Sequence, residues 1–375
     1  METIEGKAKI SVPAGVFFNP DMEACRSITS LWAGTIGQKL AVCDAFCASG
    51  VRGIRCMLEN ENIASVAFID LSKKACSAVR GNIKKNKISG KKSKNAKERT
   101  KVKVVNSDIR KLLISGKDTD FDFFEIDPFG TPVPYLADVM RCGDLRKARY
   151  VSITATDMAV LCGAHHAACL KNYGARPLNN EFCHENALRI LIGRIAREAA
   201  HNGFGTNVEL SISHRHYVKV FARLEAGAEK ATESAKLSNY YVAYCFGCGH
   251  RKLGKFPEKK CPECGKNLEW AGPLWGGAWC EKEKVVKIAR IYAERKYLQT
   301  NELGKLISNL EDECAGPAFY HDLHEVASRS KKQIPKMDEF IQRLRKEGFF
   351  ASRTHFCPTA IRTDAGIRDI IQLLG

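Results

Sequence analysis

An apolar run in residues 121–126, FDFFEI, stops at Asp127, and Pro128-Phe129-Gly130 then turns the backbone away. Proline cannot continue the hydrogen-bond ladder of a central strand, so the strand must end there. Open α/β sheets place their chemistry at the carboxyl ends of parallel strands. A carboxylate at such a tip can accept a hydrogen bond or a proton from an amine, and the phenyl ring beside it can stack on a flat heterocycle. Asp127, Pro128 and Phe129 therefore suit chemistry on an exocyclic nucleobase amine. The same residues also make an ordinary strand-ending turn, and the rest of the chain has to separate the two readings.

A second constellation is metal chemistry. Cys245 and Cys248 form one CxxC and Cys261 and Cys264 another, with twelve residues between them and a glycine after each pair. Four thiolates from two tight turns suit tetrahedral zinc in a closed structural site, with no open position for catalysis. His250 lies next to the set and is not needed as a ligand. The other twelve cysteines are scattered among apolar residues and read as reduced core positions.

Elements that could position Asp127 can be read upstream. Leu40 to Phe46 reads as a buried parallel strand, and Ala48 to Gly53 as a tight loop entering a helix, with Gly50 and Gly53 at two positions of a GxGxxG spacing. Further strands end at Asp70 and near Asp108. Four successive strand tips thus carry Asp44, Asp70, Asp108 and Asp127, which points to a nucleoside-binding crevice with Asp70 placed for a ribose diol. Tyr150 to Thr154 reads as a fifth strand, residues 185–200 as a helix, and Asn207 to Ser213 with Tyr217 to Leu224 as an antiparallel pair closing the sheet. Residues 84–103 carry ten basic side chains and one acidic one, a solvated loop or an RNA-backbone contact.

The chain has 375 residues, and its 59 basic against 42 acidic side chains give a formal charge of +17. That excess points to a polyanionic partner, nucleic acid before membrane. No apolar run is long enough to span a bilayer and the charged N-terminus does not suit a signal peptide, so a soluble, cytoplasmic protein is expected. The small, polar stretch 225–238 reads as a boundary. The expected organisation is an N-terminal arm (1–39), an α/β domain (40–225) and a smaller α+β C-terminal domain (226–375). The last holds a zinc ribbon at 244–266 and a winged-helix-like region at 300–365, and no obligate protein partner is evident.

The segments VFFNP, DAFCASGVRGIR, EIDPFGTP, TATDMAVLCG, YGARPLNNEFCHE, the paired CxxC motifs and ASRTHFCPTAIRTDA occur in this order. Together they resemble the tRNA guanine-26 N2-dimethyltransferases in their short archaeal-like form, across nearly the whole chain. The resemblance implies a class I, Rossmann-like methyltransferase domain that uses S-adenosylmethionine to methylate the N2 amine of guanosine 26 in tRNA. It implies Arg26 and Arg52 at the cofactor, with Asp44 and Gly50 in its loop, Asp70 at its ribose, and Asp108 with Ile109 at its adenine. Phe17 and Phe129 would hold the extruded guanine, while Asp127 and the Pro128 carbonyl would accept its amine. One departure is Cys25-Arg26-Ser27, where the family often has Asn-Arg-Asp; the lost acidic neighbour leaves open what fixes the arm. An adenine N6-methyltransferase of DNA needs similar geometry, and a zinc-ribbon nucleic-acid-binding protein without activity is the non-enzyme alternative.

Overall fold

The computed structural model describes residues 1–88, 101–116, 119–144 and 147–374. Most of the basic stretch, 89–100, lies outside the described residues. Seven strands make the central sheet: β1 (Leu40–Ala45), β2 (Ile63–Asp70), β3 (Lys101–Asn106), β4 (Phe123–Ile126), β5 (Arg149–Ala155), β6 (Phe204–His214) and β7 (Tyr217–Ala226). Their order is 3-2-1-4-5-7-6. The first five run parallel, and β7 lies antiparallel between β5 and β6. This is the Rossmann-like architecture that the family resemblance implies, with the strand tips along one edge as read from the sequence.

The parallel strands need covering on both faces, and their composition meets that need. Every residue of β4 and β5 is buried. The helices that cover them are α1 (Glu23–Gly34), α2 (Val51–Glu59), α3 (Lys73–Lys85), α4 (Ile109–Ser115), α5 (Val133–Arg141), α6 (Met158–Leu161), α7 (His166–Tyr173) and α8 (Cys183–His201). Chain direction across the sheet reverses between β1 and β4. Crevices in open α/β sheets form at such a reversal, beyond the strands' carboxyl ends. Asp44 in β1 and Asp127 just beyond β4 both stand at that point.

The stretch read as a boundary folds differently. Ala228–Leu237 form a helix whose Ala231 and Ser234 are buried, and the Ser234 hydroxyl accepts the Thr206 N–H at 2.8 Å. A Cβ at Gly205 would lie 2.5 Å from Lys230. The small residues that suggested a boundary are the close-packed face of a helix. The core also continues past it, because Val242, Tyr244, Leu274, Trp275 and Trp279 belong to the same buried cluster as the sheet.

Beyond the helix a three-stranded ribbon follows (Tyr240–Tyr244, Arg251–Gly254, Glu269–Leu274), then helices Lys282–Glu294 and Asn301–Glu313. A last block with its own small core runs through His321–Asp322, helices Leu323–Ser330 and Met337–Lys346, strands Ala351–Arg353 and Ala360–Thr363, and helix Ile367–Leu373. Buried charge ties this block to α8. Arg362, fully buried, donates to Glu185 at 2.9 Å and to Glu313 at 3.0 Å. Glu185 also accepts from Arg189 and from the Phe319 N–H, each at 2.9 Å. Burial alone would raise both carboxyls. Arg362 and Arg189 outweigh it at Glu185, and His355 with Arg362 holds Glu313 down at about 2.

Removing one member of a buried ionic set leaves the others uncompensated, at a cost of about 3–5 kcal/mol. Glu185→Gln should therefore lower the stability of the full chain by that order, read by urea unfolding at neutral pH. An unchanged midpoint would mean that Arg189 and Arg362 are satisfied by other acceptors.

Candidate active site

The site grows from the tips of β1 and β4 and the loop after β1. Phe46, Ala48 and Gly50 all take left-handed backbone conformations, with φ of 63°, 47° and 76°. The chain thereby turns tightly enough to start α2 directly over the strand. Gly53 tolerates no side chain, because a Cβ there would sit 2.5 Å from Phe68 and 2.8 Å from an Asp44 oxygen. Its N–H instead donates to Asp44 at 3.0 Å. Asp70, at the tip of β2, accepts the Ala48 N–H at 2.9 Å and so closes the loop from the other side.

A cavity of about 280 Å³ opens here. Among the residues anticipated from the sequence, Phe17, Arg26, Asp44, Arg52, Asp127, Pro128 and Phe129 line it together. Gly50, Asp70, Asp108 and Ile109 do not. Asp70 stands at the loop's outer edge, Asp108 caps α4 by accepting the Arg110 N–H at 2.8 Å, and Ile109 is buried in the first turn of that helix.

Asp127 has a fixed partner. One guanidinium nitrogen of Arg52 pairs with its carboxylate, and the other donates to Thr29 Oγ1 at 3.0 Å and lies 3.3 Å from Glu125. Behind them the fully buried Lys219 binds Glu125 at 2.6 Å and Thr154 Oγ1 at 2.8 Å. Two cations thus face two anions in a water-poor space. Asp44 is the fifth charge: burial pushes its carboxyl up to about 7, against the pull of Arg52 and with the repulsion of Glu125. Burial would lower the Arg52 guanidinium, but Glu125 and Asp127 hold it well above its usual range.

The N-terminal arm covers the cavity. Phe17 and Phe129 meet edge to face, with ring centroids 4.7 Å apart. Phe17 is 53% and Phe129 78% exposed, so the pair is accessible rather than packed down. Arg26 fixes the arm by a two-point contact with Glu5 at 2.7 and 2.5 Å and by donating to the Asn19 carbonyl at 3.1 Å. Glu5 thereby supplies the acid missing beside Arg26, and Ser27 accepts from Arg55 instead. Arg215 binds Asp21 from the opposite wall at 2.7 Å.

Several of these groups are silent in the sequence. Tyr217 lines the cavity with its hydroxyl buried beside Cys25, and Lys219 reads as an ordinary strand lysine. The turn His214-Arg215-His216-Tyr217 between two strands is the signal that could have pointed to that wall.

The four CxxC sulfurs converge, each within 4.8 Å of the others. Gly249 and Gly265 adopt φ of 84° and 71°, and their N–H groups donate to Cys245 and Cys261 carbonyls at 2.8 and 2.9 Å. Two turns of this shape aim four soft donors at one point, which fits structural zinc. His250 is not among the converging groups.

The raised Asp44 sets a pH dependence. Its folded value of about 7 exceeds the unfolded 3.8, so the native state binds the extra proton and loses stability as pH rises between them. Asparagine avoids that cost. Asp44→Asn should stabilise the unliganded chain more at pH 8 than at pH 5, by on the order of 2 kcal/mol. Urea unfolding at both values checks this, and an equal gain would place Asp44 in a wetter site.

The family model described as "TRM: N2,N2-dimethylguanosine tRNA methyltransferase" matches residues 1–375. A tRNA (guanine(26)-N(2))-dimethyltransferase of Pyrococcus abyssi is 35% identical, covering 100% of this chain and 98% of its own length. One of Methanosphaera stadtmanae is 34% identical, over 98% of this chain and 92% of its own. Among solved structures, Trm1 from Pyrococcus horikoshii in complex with S-adenosyl-L-methionine superposes with a TM-score of 0.88. It is 33% identical and covers 100% of this chain and 99% of that one. The chain belongs to the N2,N2-dimethylguanosine tRNA methyltransferase family.

Proposed function

We propose that this chain methylates the exocyclic N2 amine of guanosine 26 in tRNA, once and then again, with Asp127 as the residue that holds the amine. The observation that carries the assignment of the site is the convergence of Asp127, Pro128, Phe129 and Phe17 on one cavity at the switch point of the sheet. S-adenosylmethionine, when bound, supplies an electrophilic methyl group on a sulfonium. The tight loop at 46–50 and its left-handed turns suit it: Asp70 would hold the ribose hydroxyls, Asp108 and Ile109 the adenine, and Arg26 and Arg52 its charged end, with Asp44 and Gly50 shaping the loop. No helix among the described residues is long and apolar enough to cross a membrane, and the cytoplasm is the compartment we assign.

The guanine N2 lone pair is delocalised into the ring, so the amine is a poor nucleophile. Accepting its N–H groups at an Asp127 oxygen and the Pro128 carbonyl pulls electron density back to nitrogen and aims the lone pair. Arg52 occupies the other side of the Asp127 carboxylate and fixes its direction. A carboxylate is a weak base beside the alternatives an enzyme could use, so orientation precedes proton loss, and Asp127 receives the proton after the methyl group has moved.

A guanine inside a folded tRNA is stacked and must be extruded, at a cost of a few kcal/mol. Stacking on aromatic rings returns about 1–3 kcal/mol per base. Phe17 and Phe129 now touch, and a base between two rings needs about 3.5 Å on each side. The arm must therefore lift before the base enters, and Glu5, Arg26 and Asp21 are the hinge fastenings. We place the phosphate contacts on the C-terminal segment 226–375, whose helix Met337–Lys346 ends in Arg343, Arg345 and Lys346 and whose region 300–365 has the helix-helix-ribbon order of a winged helix.

Asp127→Ala should reduce methyl transfer to a tRNA transcript by roughly 10²–10⁴-fold, with cofactor binding by calorimetry little changed. Normal turnover would remove Asp127 from the mechanism. Transfer to duplex DNA, with none to tRNA, would favour the adenine-amine reading. In parallel, Phe17→Ala should slow single-turnover methylation far more than it weakens tRNA binding on filters, and Phe17→Tyr should recover part of the rate. A normal rate for Phe17→Ala would make the arm mere packing.

A further inference from the structure

Among the described residues, only two groups of three or more Cys, His, Asp or Glu bring their donor atoms within 4.8 Å of one another. One is the Cys245–Cys264 set. The other is Cys162, Cys183 and His184, all half-buried, and the methyl-transfer chemistry uses none of them. We propose that Cys162, Cys183 and His184 form a second metal site for a borderline-soft divalent ion, zinc foremost.

The donors come from separate places in the fold. Cys162 follows α6, and Cys183 and His184 open the 19-residue α8. Two thiolates bound to one tetrahedral zinc at about 2.3 Å each stand roughly 3.8 Å apart, so the observed spread is within the reach of small rotations. Two thiolates and one imidazole satisfy zinc's preference for sulfur and nitrogen, and a solvent molecule completes the tetrahedron. Metal-bound histidines usually give their second ring nitrogen to a carbonyl. The Phe356 backbone lies beside the His184 ring. The scattered cysteines make a useful contrast: Cys43, Cys56 and Cys169 are as deeply buried as core leucines, yet among the described residues no set of three donors converges at any of them.

The position gives such an ion a role. Thr156, six residues before Cys162, lines the candidate active site; its N–H donates to the Gly130 carbonyl at 3.0 Å, and its hydroxyl accepts the Gly130 N–H at 2.8 Å. Gly130 belongs to the Asp127–Pro132 turn. A metal on Cys162 and α8 thus clips the wall that carries Asp127 to the longest helix of the catalytic domain. Through His184 and Phe356 it reaches the C-terminal block as well. Binding releases the two thiol protons to solvent and needs no oxidant.

The test is metal counting on the full chain purified under reducing conditions without chelator. Plasma mass spectrometry should find two equivalents of zinc in the wild-type protein. It should find one in each of Cys162→Ser, His184→Gln and Cys261→Ser, with helicity retained by circular dichroism. Wild-type protein produced in cobalt-supplemented medium tests the idea without a variant, because two cobalt(II) ions per chain should give overlapping thiolate charge-transfer bands. In Cys261→Ser the weaker two-thiolate band should survive. A single wild-type equivalent that disappears with Cys261→Ser would overturn the proposal. So would unchanged zinc in both Cys162→Ser and His184→Gln, or a Cys162–Cys183 disulfide found in peptides of the reduced preparation.

Discussion

The arrangement around the cavity depends on one buried ionic contact, Arg52 held between Glu125 and Asp127. Sheet geometry makes it possible. Asp44 and Glu125 are direct neighbours across β1 and β4, and Thr154 opposes Lys219 across β5 and β7. Glu125 and Asp127 are two residues apart, so the pleat directs both to one side. Three strands, β1, β4 and β7, and the first turn of α2 therefore deliver their charges to a common point, with the Thr154 hydroxyl of β5 beside them. Isolated, each would cost several kcal/mol to bury; together two cations offset two anions. Asp44 is left over, and in water-poor surroundings it relieves the excess by taking a proton.

Helix α2 carries a second fastening three residues on. Arg55, fully buried, binds Glu5 at 2.7 Å and Glu59 at 2.9 Å, and Glu5 is the same carboxylate that holds Arg26. A single helix thus anchors the Asp127 carboxylate with one arginine and the covering arm with another. The arm's position is set by buried charge at its base, while its tip, Phe17, remains exposed. That division lets the tip move without loosening the root.

The parts of this site legible in the sequence are those that interrupt a pattern. Asp127-Pro128 ends an apolar strand, the glycines near residue 50 break a helix start, and the CxxC pairs stand out by spacing. The inner parallel strands were legible because burial on both faces makes near-continuous apolar runs, whereas the edge strand Lys101–Asn106 has no buried residue and alternates lysine with valine. Glu5, Glu125 and Lys219 interrupt nothing visible; a charged residue in a strand looks solvent-facing until the register opposes it to another charge. The stretch 225–238 misleads for the converse reason. Its alanines, serines and glycine suit both a boundary and a tightly packed helix, and only Gly205 and Thr206 across the contact distinguish them.

Under the proposed reading, phosphate contacts on the C-terminal segment and base chemistry at Asp127 must act on one tRNA at a fixed separation. A flexible tether would let the enzyme reach guanines over a range of distances. The seam is instead built of continuous apolar packing and of Glu185, Arg362 and Glu313, none of them accessible to water. Glu181 adds a second tie, accepting from Tyr244 at 2.6 Å and from Arg329 and the Asp322 N–H at 2.9 Å each. Buried ion pairs of this kind add little net stability over apolar packing, but they penalise every arrangement except the one that pairs them. Rigidity at the seam is therefore, under that reading, the physical source of positional selectivity: the distance from bound backbone to reacting amine is set by the protein's own core.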